Sequence, residues 1–317
     1  MKLHRRLAML PLTLAVLSLV GLTACSSDRS DSGASEDASV DVSSKLAGMN
    51  RKAEVDPETA TVKLPVDYVK LGEQEDSSIL YSARDAAVAE CAREELGIPW
   101  VASEPDGYMP TAHMWQRYGP WTKPVAEKFG FVDPMGDGAL IVNGYVEEPD
   151  GYELIPWPNE GIPEADRNKV FDTCNSKPEV KRFDENELWV VGPGQQALND
   201  EEDAVNQDPR MQALFAELRT CYAENGMEFD EELPGYITAY TDTIDEEQIE
   251  LALKTVECKD QVNFTQRAAD ITAERQVPVI EEYADELFQN RANWDAAVTE
   301  AKEYIASHPE LFESVRR

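Results

Sequence analysis

The chain has 317 residues, 62 of them acidic and 29 basic, for a formal charge of −33. Such a surface repels phosphate backbones and anionic membrane faces, which excludes nucleic acid as a partner. The length suffices for one large or two small domains with real cores.

The chain opens with Lys2, Arg5 and Arg6, followed by an uncharged apolar run from Leu7 to Gly21. That run is shorter than the about 20 residues a membrane-crossing helix needs. Leu22, Thr23, Ala24 and Cys25 follow it. A basic start, a short apolar run and a small-residue cut site read as a secretory signal. The cut site resembles the lipobox of bacterial lipoproteins. The resemblance implies that residues 1–24 are removed and that the Cys25 sulfur carries a diacylglyceryl group. Two acyl chains suffice for stable anchoring, at about 0.8 kcal/mol per buried methylene. Loss of Lys2, Arg5 and Arg6 takes the formal charge from −33 to −36.

Residues 25–60 are rich in Ser, Asp, Glu and Ala, with no aromatic before Tyr68. They are expected to form a flexible tether with a reach of roughly 30–35 Å. Lys63 to Val69 contains Pro65 and is at best an edge strand.

Ser82 to Leu96 reads as a helix, with Ser82 and Asp85 as a capping box and Gly97 as its stop. Pro124 to Phe129 is a short helix closed by Gly130, and Val170 to Asn175 is another. Ala139 to Val142 and Leu188 to Val191 read as strands. Leu198 to Asp208 is polar and acidic and reads as a linker. A helix follows from Asp208 to Asn225, with Asp208 as cap, Pro209 at the first position and Gly226 after the end. Tyr236 to Tyr240 reads as a strand and Asp245 to Val262 as a helix. From Pro278, which should kink or restart the helix, Ile280, Ala284, Leu287, Arg291, Trp294, Val298, Ala301 and Ile305 advance by three or four. That stripe is expected to pack on its own domain rather than on a coiled-coil partner.

With Cys25 lipidated, Cys91, Cys174, Cys221 and Cys258 remain, an even number that in an exported chain favours two disulfides. There is no CxxC pair and only His113 and His308 follow residue 25, so a metal site is the weaker reading. Four cysteines permit three connectivities. The helix ends Cys91-Ala-Arg-Glu94-Glu-Leu-Gly97-Ile98 and Cys221-Tyr-Ala-Glu224-Asn-Gly226-Met227 are alike. Each is followed by another helix bearing a cysteine. This points to two diverged helix–loop–helix modules, 61–198 and 199–317, bridged Cys91–Cys174 and Cys221–Cys258. The expected fold is therefore α+β and α-rich, with few short strands and a long C-terminal amphipathic helix.

The chain carries no GxSxG elbow, HExxH, P-loop, EF-hand or dinucleotide fingerprint, so no catalytic residue and no cofactor is assigned. Asp133 and Asp137 are a carboxylate pair of the kind expected by chance, in a turn. Aromatic residues concentrate between Cys91 and Cys174. Trp115, Arg117, Tyr118 and Trp121 are the candidate ligand-binding residues there, since exposed rings stack on sugars. The competing reading, ranked first, places the rings in a core.

Taken with the lipobox, certain patterns resemble a family of actinobacterial lipoproteins. They are Cys221-x-x-Glu224-x-Gly226-Met227-Glu228-Phe229, Arg117-Tyr118-Gly119, Ala126-Glu-Lys-Phe129-Gly130-Phe131 and Ala252-Leu-Lys-Thr-Val-Glu-Cys258-Lys259. The first module departs from it by one extra residue before Gly97. The resemblance implies an α-rich, disulfide-linked extracytoplasmic domain and carries over no catalytic residue. The leading expectation is a lipid-anchored binding or accessory module for an envelope component or a membrane protein complex. A hydrolase of cell-wall glycan or peptide is the alternative. Solute capture for an importer ranks third, because the strands are too few for two α/β lobes.

Overall fold

Helix-forming segments dominate the sequence, and the chain folds accordingly. The computed structural model describes residues 41–105, 117–149, 151 and 157–313. Among these it is helix-rich, with one two-stranded sheet and two disulfides, an α-rich α+β fold. Cys25, His113 and Trp115 lie outside the described residues.

Residues 41–60, expected to belong to the tether, already carry regular structure. Helix α1 (Val42–Gly48) is capped by Asp41, which accepts from Ser44 N at 3.1 Å. An antiparallel hairpin follows, β1 (Glu54–Asp56) with β2 (Thr61–Lys63), Val55 opposite Val62. Val42, Leu46 and Met49 recur at helical spacing and pack with Val69, Leu198, Ile280 and Leu287. A polar average over the whole segment hides that short stripe. The supposed edge strand after β2 becomes a 3₁₀ turn, Pro65–Tyr68.

Helix α2 (Gln74–Glu95) starts well before Ser82. Ser82 is therefore interior, and its Oγ donates to Ser103 O at 2.7 Å. Asp85 accepts from Ser103 N at 2.7 Å and from Trp100 Nε1 at 3.1 Å. The two residues expected to cap the helix instead strap the returning chain to its side. Helices α3 (Lys123–Phe129) and α4 (Asp137–Val142) come next. α4 replaces the strand expected at 139–142. Only its Leu140 is buried, and Asn143 N closes the turn on Ala139 O at 2.9 Å.

α5 (Glu164–Cys174), the single turns α6 (Pro178–Lys181) and α7 (Glu185–Leu188), and then α8 (Pro193–Ala204) follow. Trp189–Val191 pairs with no strand among the described residues, contrary to expectation. The expected linker after Leu198 is α8 plus a 3₁₀ turn at Val205–Gln207, because Leu198 and Val205 are buried. α9 (Pro209–Glu224) begins at the expected cap and α10 (Glu246–Gln261) at the expected start: Asp208 accepts from Arg210 N and Asp245 from Gln248 N, both at 2.9 Å. The strand expected at 236–240 shrinks to isolated bridges at Tyr236 and Ile237.

α11 (Phe264–Glu282) runs through Pro278 without interruption, and the chain turns at Tyr283 into α12 (Ala284–Ser307). Proline removes one intrahelical hydrogen bond, and the burial of Ile280 just beyond it keeps the chain helical. The helix break after Cys258 falls instead at Asn263, which is left-handed at φ 51°.

Both expected bridges form. Cys91–Cys174 joins α2 to α5 and Cys221–Cys258 joins α9 to α10, with Cα–Cα separations of 5.9 and 5.7 Å. The division at residue 198 does not hold, since it cuts α8 and the cores exchange elements. α12 lies along α2 and gives Trp294, Val298 and Ala301 to the core around Cys174. In the other direction, Tyr118, Trp121 and Phe131 join the core around Cys221 and Cys258. The described residues form one compact body.

Candidate functional site

A cavity of about 450 Å³ opens where the 3₁₀ turn after β2, the segment at Trp189, α8 and α11 converge. Its apolar floor is Leu64, Val66, Leu71 and Leu198. Helical spacing supplies the polar rim. Gln195 and Asn199 sit four apart on α8 and are bonded to each other at 3.0 Å, Nε2 to Oδ1. Leu198 and Glu202 form a second such pair on α8, and Thr272 and Gln276 a third on α11. Residues four apart share a helix face, so each helix presents a ready-made wall. Gln276 also ties the two sides together, its Oε1 accepting from Val66 N at 3.2 Å.

Trp189 forms one lip of the opening and is 42% exposed. Its ring stands edge-on to Trp294, with centroids 6.1 Å apart. It also rests on Gly72, where φ is +71° and a Cβ would stand 2.4 Å from the ring. Glycine is required there both for its backbone and for the approach.

Arg117 forms the opposite side. Its Nη1 donates to Glu202 Oε1 at 2.9 Å and its Nη2 to the Glu202 main-chain oxygen. That carbonyl lies in the last turn of α8, where carbonyls lack helical partners and a cation is favourable. The Arg117 side chain is 21% exposed and that of Glu202 is 66% exposed. The guanidinium lies 5.8 Å from the Tyr118 ring centroid, and Nε is buried without a partner among the described residues.

Of the described aromatic-segment candidates, Arg117, Tyr118 and Trp121, only Arg117 lines the cavity. Tyr118 and Trp121 are 1% and 5% exposed, core residues rather than a stacking surface. The Tyr118 ring packs against Phe215 and Phe264, and its hydroxyl donates to Asn206 Oδ1 at 3.0 Å. Burial pushes that hydroxyl up to about 12. The segment is pinned from below by Lys259, fully buried, whose Nζ donates to Tyr118 O and, at 2.7 Å, to Pro120 O. Burial drives the Lys259 amine well below its ordinary range. The motif Arg117-Tyr-Gly-Pro-Trp121 is thus a buried bracket that holds one cation at a cavity wall.

The other candidates serve structure. His308 Nδ1 lies 2.9 Å from Tyr304 O at the end of α12. Asp137 pairs with Lys128 at 3.2 Å in the first turn of α4. Among the described residues, no cluster of His, Cys, Asp or Glu could hold a metal ion, and no helix is long and apolar enough to cross a membrane. Glu202 is the single carboxylate among the described residues that line the cavity.

Sequence reasoning missed Lys70, Trp189 and the α8 and α11 walls. Pro193 at a first helical position, with Gln195, Leu198, Asn199 and Glu202 after it, was the available signal for α8. No protein-family model, curated protein or solved structure matches the chain.

Proposed function

We propose that this chain is a lipid-anchored extracytoplasmic binding module, and that the cavity beside Arg117 is where it binds. The observation that carries the reading is the described lining: an apolar floor under a polar rim, with its one carboxylate already paired to an arginine. Such a lining suits capture of a small organic molecule. Glycoside hydrolysis needs two carboxylates across the reacting bond, and the described lining offers one. The anchor at Cys25, the export and the resemblance to actinobacterial lipoproteins belong to the same proposal. They are supported by the leader sequence and by two disulfides, which persist in oxidising compartments.

Two measurements test it. Metabolic labelling with an alkynyl palmitate should tag the protein in the envelope fraction, and Cys25→Ser should abolish the tag. An unlabelled, freely soluble protein would end the anchoring claim. An apolar fluorescent dye should bind the protein, and Leu198→Trp, which fills the floor, should remove binding without unfolding. Undiminished dye binding in that variant would end the assignment of the cavity.

A further inference from the structure

We propose that the cavity takes an anionic amphiphile, its aliphatic body on the floor and its carboxylate or phosphate head on Arg117. This deepens the binding-module reading and rests on it. The first reason is charge. Acidic residues outnumber basic ones 62 to 29 in the chain, yet among the described residues of the lining that balance is reversed, with Lys70 and Arg117 against Glu202. Even with Lys70 paired to Glu73 at 3.2 Å, cationic groups stand at this opening in a protein whose surface otherwise repels anions.

The second reason is how Arg117 is held. Its place does not depend on the Glu202 carboxylate, because it also donates to the Glu202 main-chain oxygen and sits beside the Tyr118 ring. The backbone from Tyr118 to Pro120 is in turn fixed by Lys259. The Glu202 side chain, by contrast, is 66% exposed, and such pairs contribute little. An incoming anion can therefore displace the Glu202 carboxylate while the guanidinium stays in place. Glu202 acts as an internal competitor that sets the threshold for anion entry.

The third reason is shape. Leu198 and Glu202 are one turn apart on α8, so the floor and the charged pair are adjacent and in line. A molecule seated on Leu198 has its end at Arg117. A head group placed there meets guanidinium N–H groups that make charge-assisted hydrogen bonds.

The test uses the full chain carrying Cys25→Ser and short probes that remain monomeric: octanoate, octyl phosphate, octanol and octyltrimethylammonium, titrated by calorimetry. One or both anions should bind about tenfold or more tighter than octanol, with the cation weakest. Preference between octanoate and octyl phosphate assigns the head group. Glu202→Gln should tighten anion binding about two- to fivefold and leave octanol unchanged. Arg117→Gln should weaken anions about tenfold. Lys70→Gln gives a second reading, a smaller anion-selective loss, should the Arg117 variant fail to fold. If octanol binds as well as the anions, or the variants shift all probes alike, the anion proposal is overturned while the cavity remains a binding site. If no probe binds, the binding-module reading fails as well.

Discussion

Lys259 gives a sharp test of how the aromatic segment is held. Its side chain is fully buried and offers two N–H groups to two main-chain oxygens, those of Tyr118 and Pro120. A neutral amine has two N–H donors, so that form is satisfied, and burial lowers the amine well below the ordinary lysine value of 10.5. Between the lowered folded value and 10.5, the unfolded chain binds a proton that the folded chain does not. Stability should therefore rise with pH, by up to about 1.4 kcal/mol per unit from this group. Lys259→Met removes the titration and leaves two buried carbonyls unpaired, at about 1–3 kcal/mol each. At about pH 10.5, where deprotonating the unfolded chain costs little, the variant should be less stable than the parent by about 2–6 kcal/mol, and one pH unit lower by about 1.4 kcal/mol less than that. As pH falls the gap should close, because only the parent carries the proton linkage. Urea unfolding of both proteins from about pH 7 to about pH 9.5 measures this directly. Parallel curves, with a gap independent of pH, would mean that the amine folds protonated, contrary to a neutral buried Lys259.

Other substitutions follow from the packing. Gly72→Ala places a Cβ against the Trp189 ring at a left-handed φ; it should lower stability by about 1–3 kcal/mol and shift tryptophan fluorescence as Trp189 moves. Trp294→Ala, in the contact between α12 and α2, should cost about 3–5 kcal/mol in urea unfolding. Removing the Cys91–Cys174 bridge, whose partners are 83 residues apart, should destabilise by about 4–5 kcal/mol, against about 4 kcal/mol for Cys221–Cys258, 37 apart. Non-reducing peptide mapping that joined Cys91 to Cys221 would contradict both bridges.

Local signals were legible where a helix carried its own punctuation. Asp208 and Pro209, Asp245 and Gly130 all marked helix ends that form as read, whereas the stripe from Ile280 to Ala301 is split at Tyr283 between α11 and α12. The like endings at Cys91 and Cys221 were enough to pair the bridges. Reading failed where tertiary burial overrode local composition. Leu198 and Val205 turn an acidic stretch into α8 and its 3₁₀ turn. The Ala139-Leu-Ile-Val142 run looks like a strand, yet with only Leu140 buried it is a helix. Ser82 is a good cap that the structure uses as a strap. The cavity could not be read at all, because its walls meet only in three dimensions: Val66 and Gln276, hydrogen-bonded across it, are 210 residues apart. Arg117 was singled out for its aromatic neighbours, but those neighbours are the bracket and the arginine is the part left at the opening.

Backbone amide chemical-shift mapping with octanoate tests the site most directly. Titration should move resonances of Leu71, Leu198, Asn199, Thr272 and Gln276, which border the cavity, and leave α5 and the Cys91–Cys174 bridge unmoved. Saturable shifts confined to that set would place the ligand on the floor beside Arg117. Shifts centred elsewhere, or none at concentrations that saturate the calorimetric signal, would contradict the cavity as the place where this protein binds.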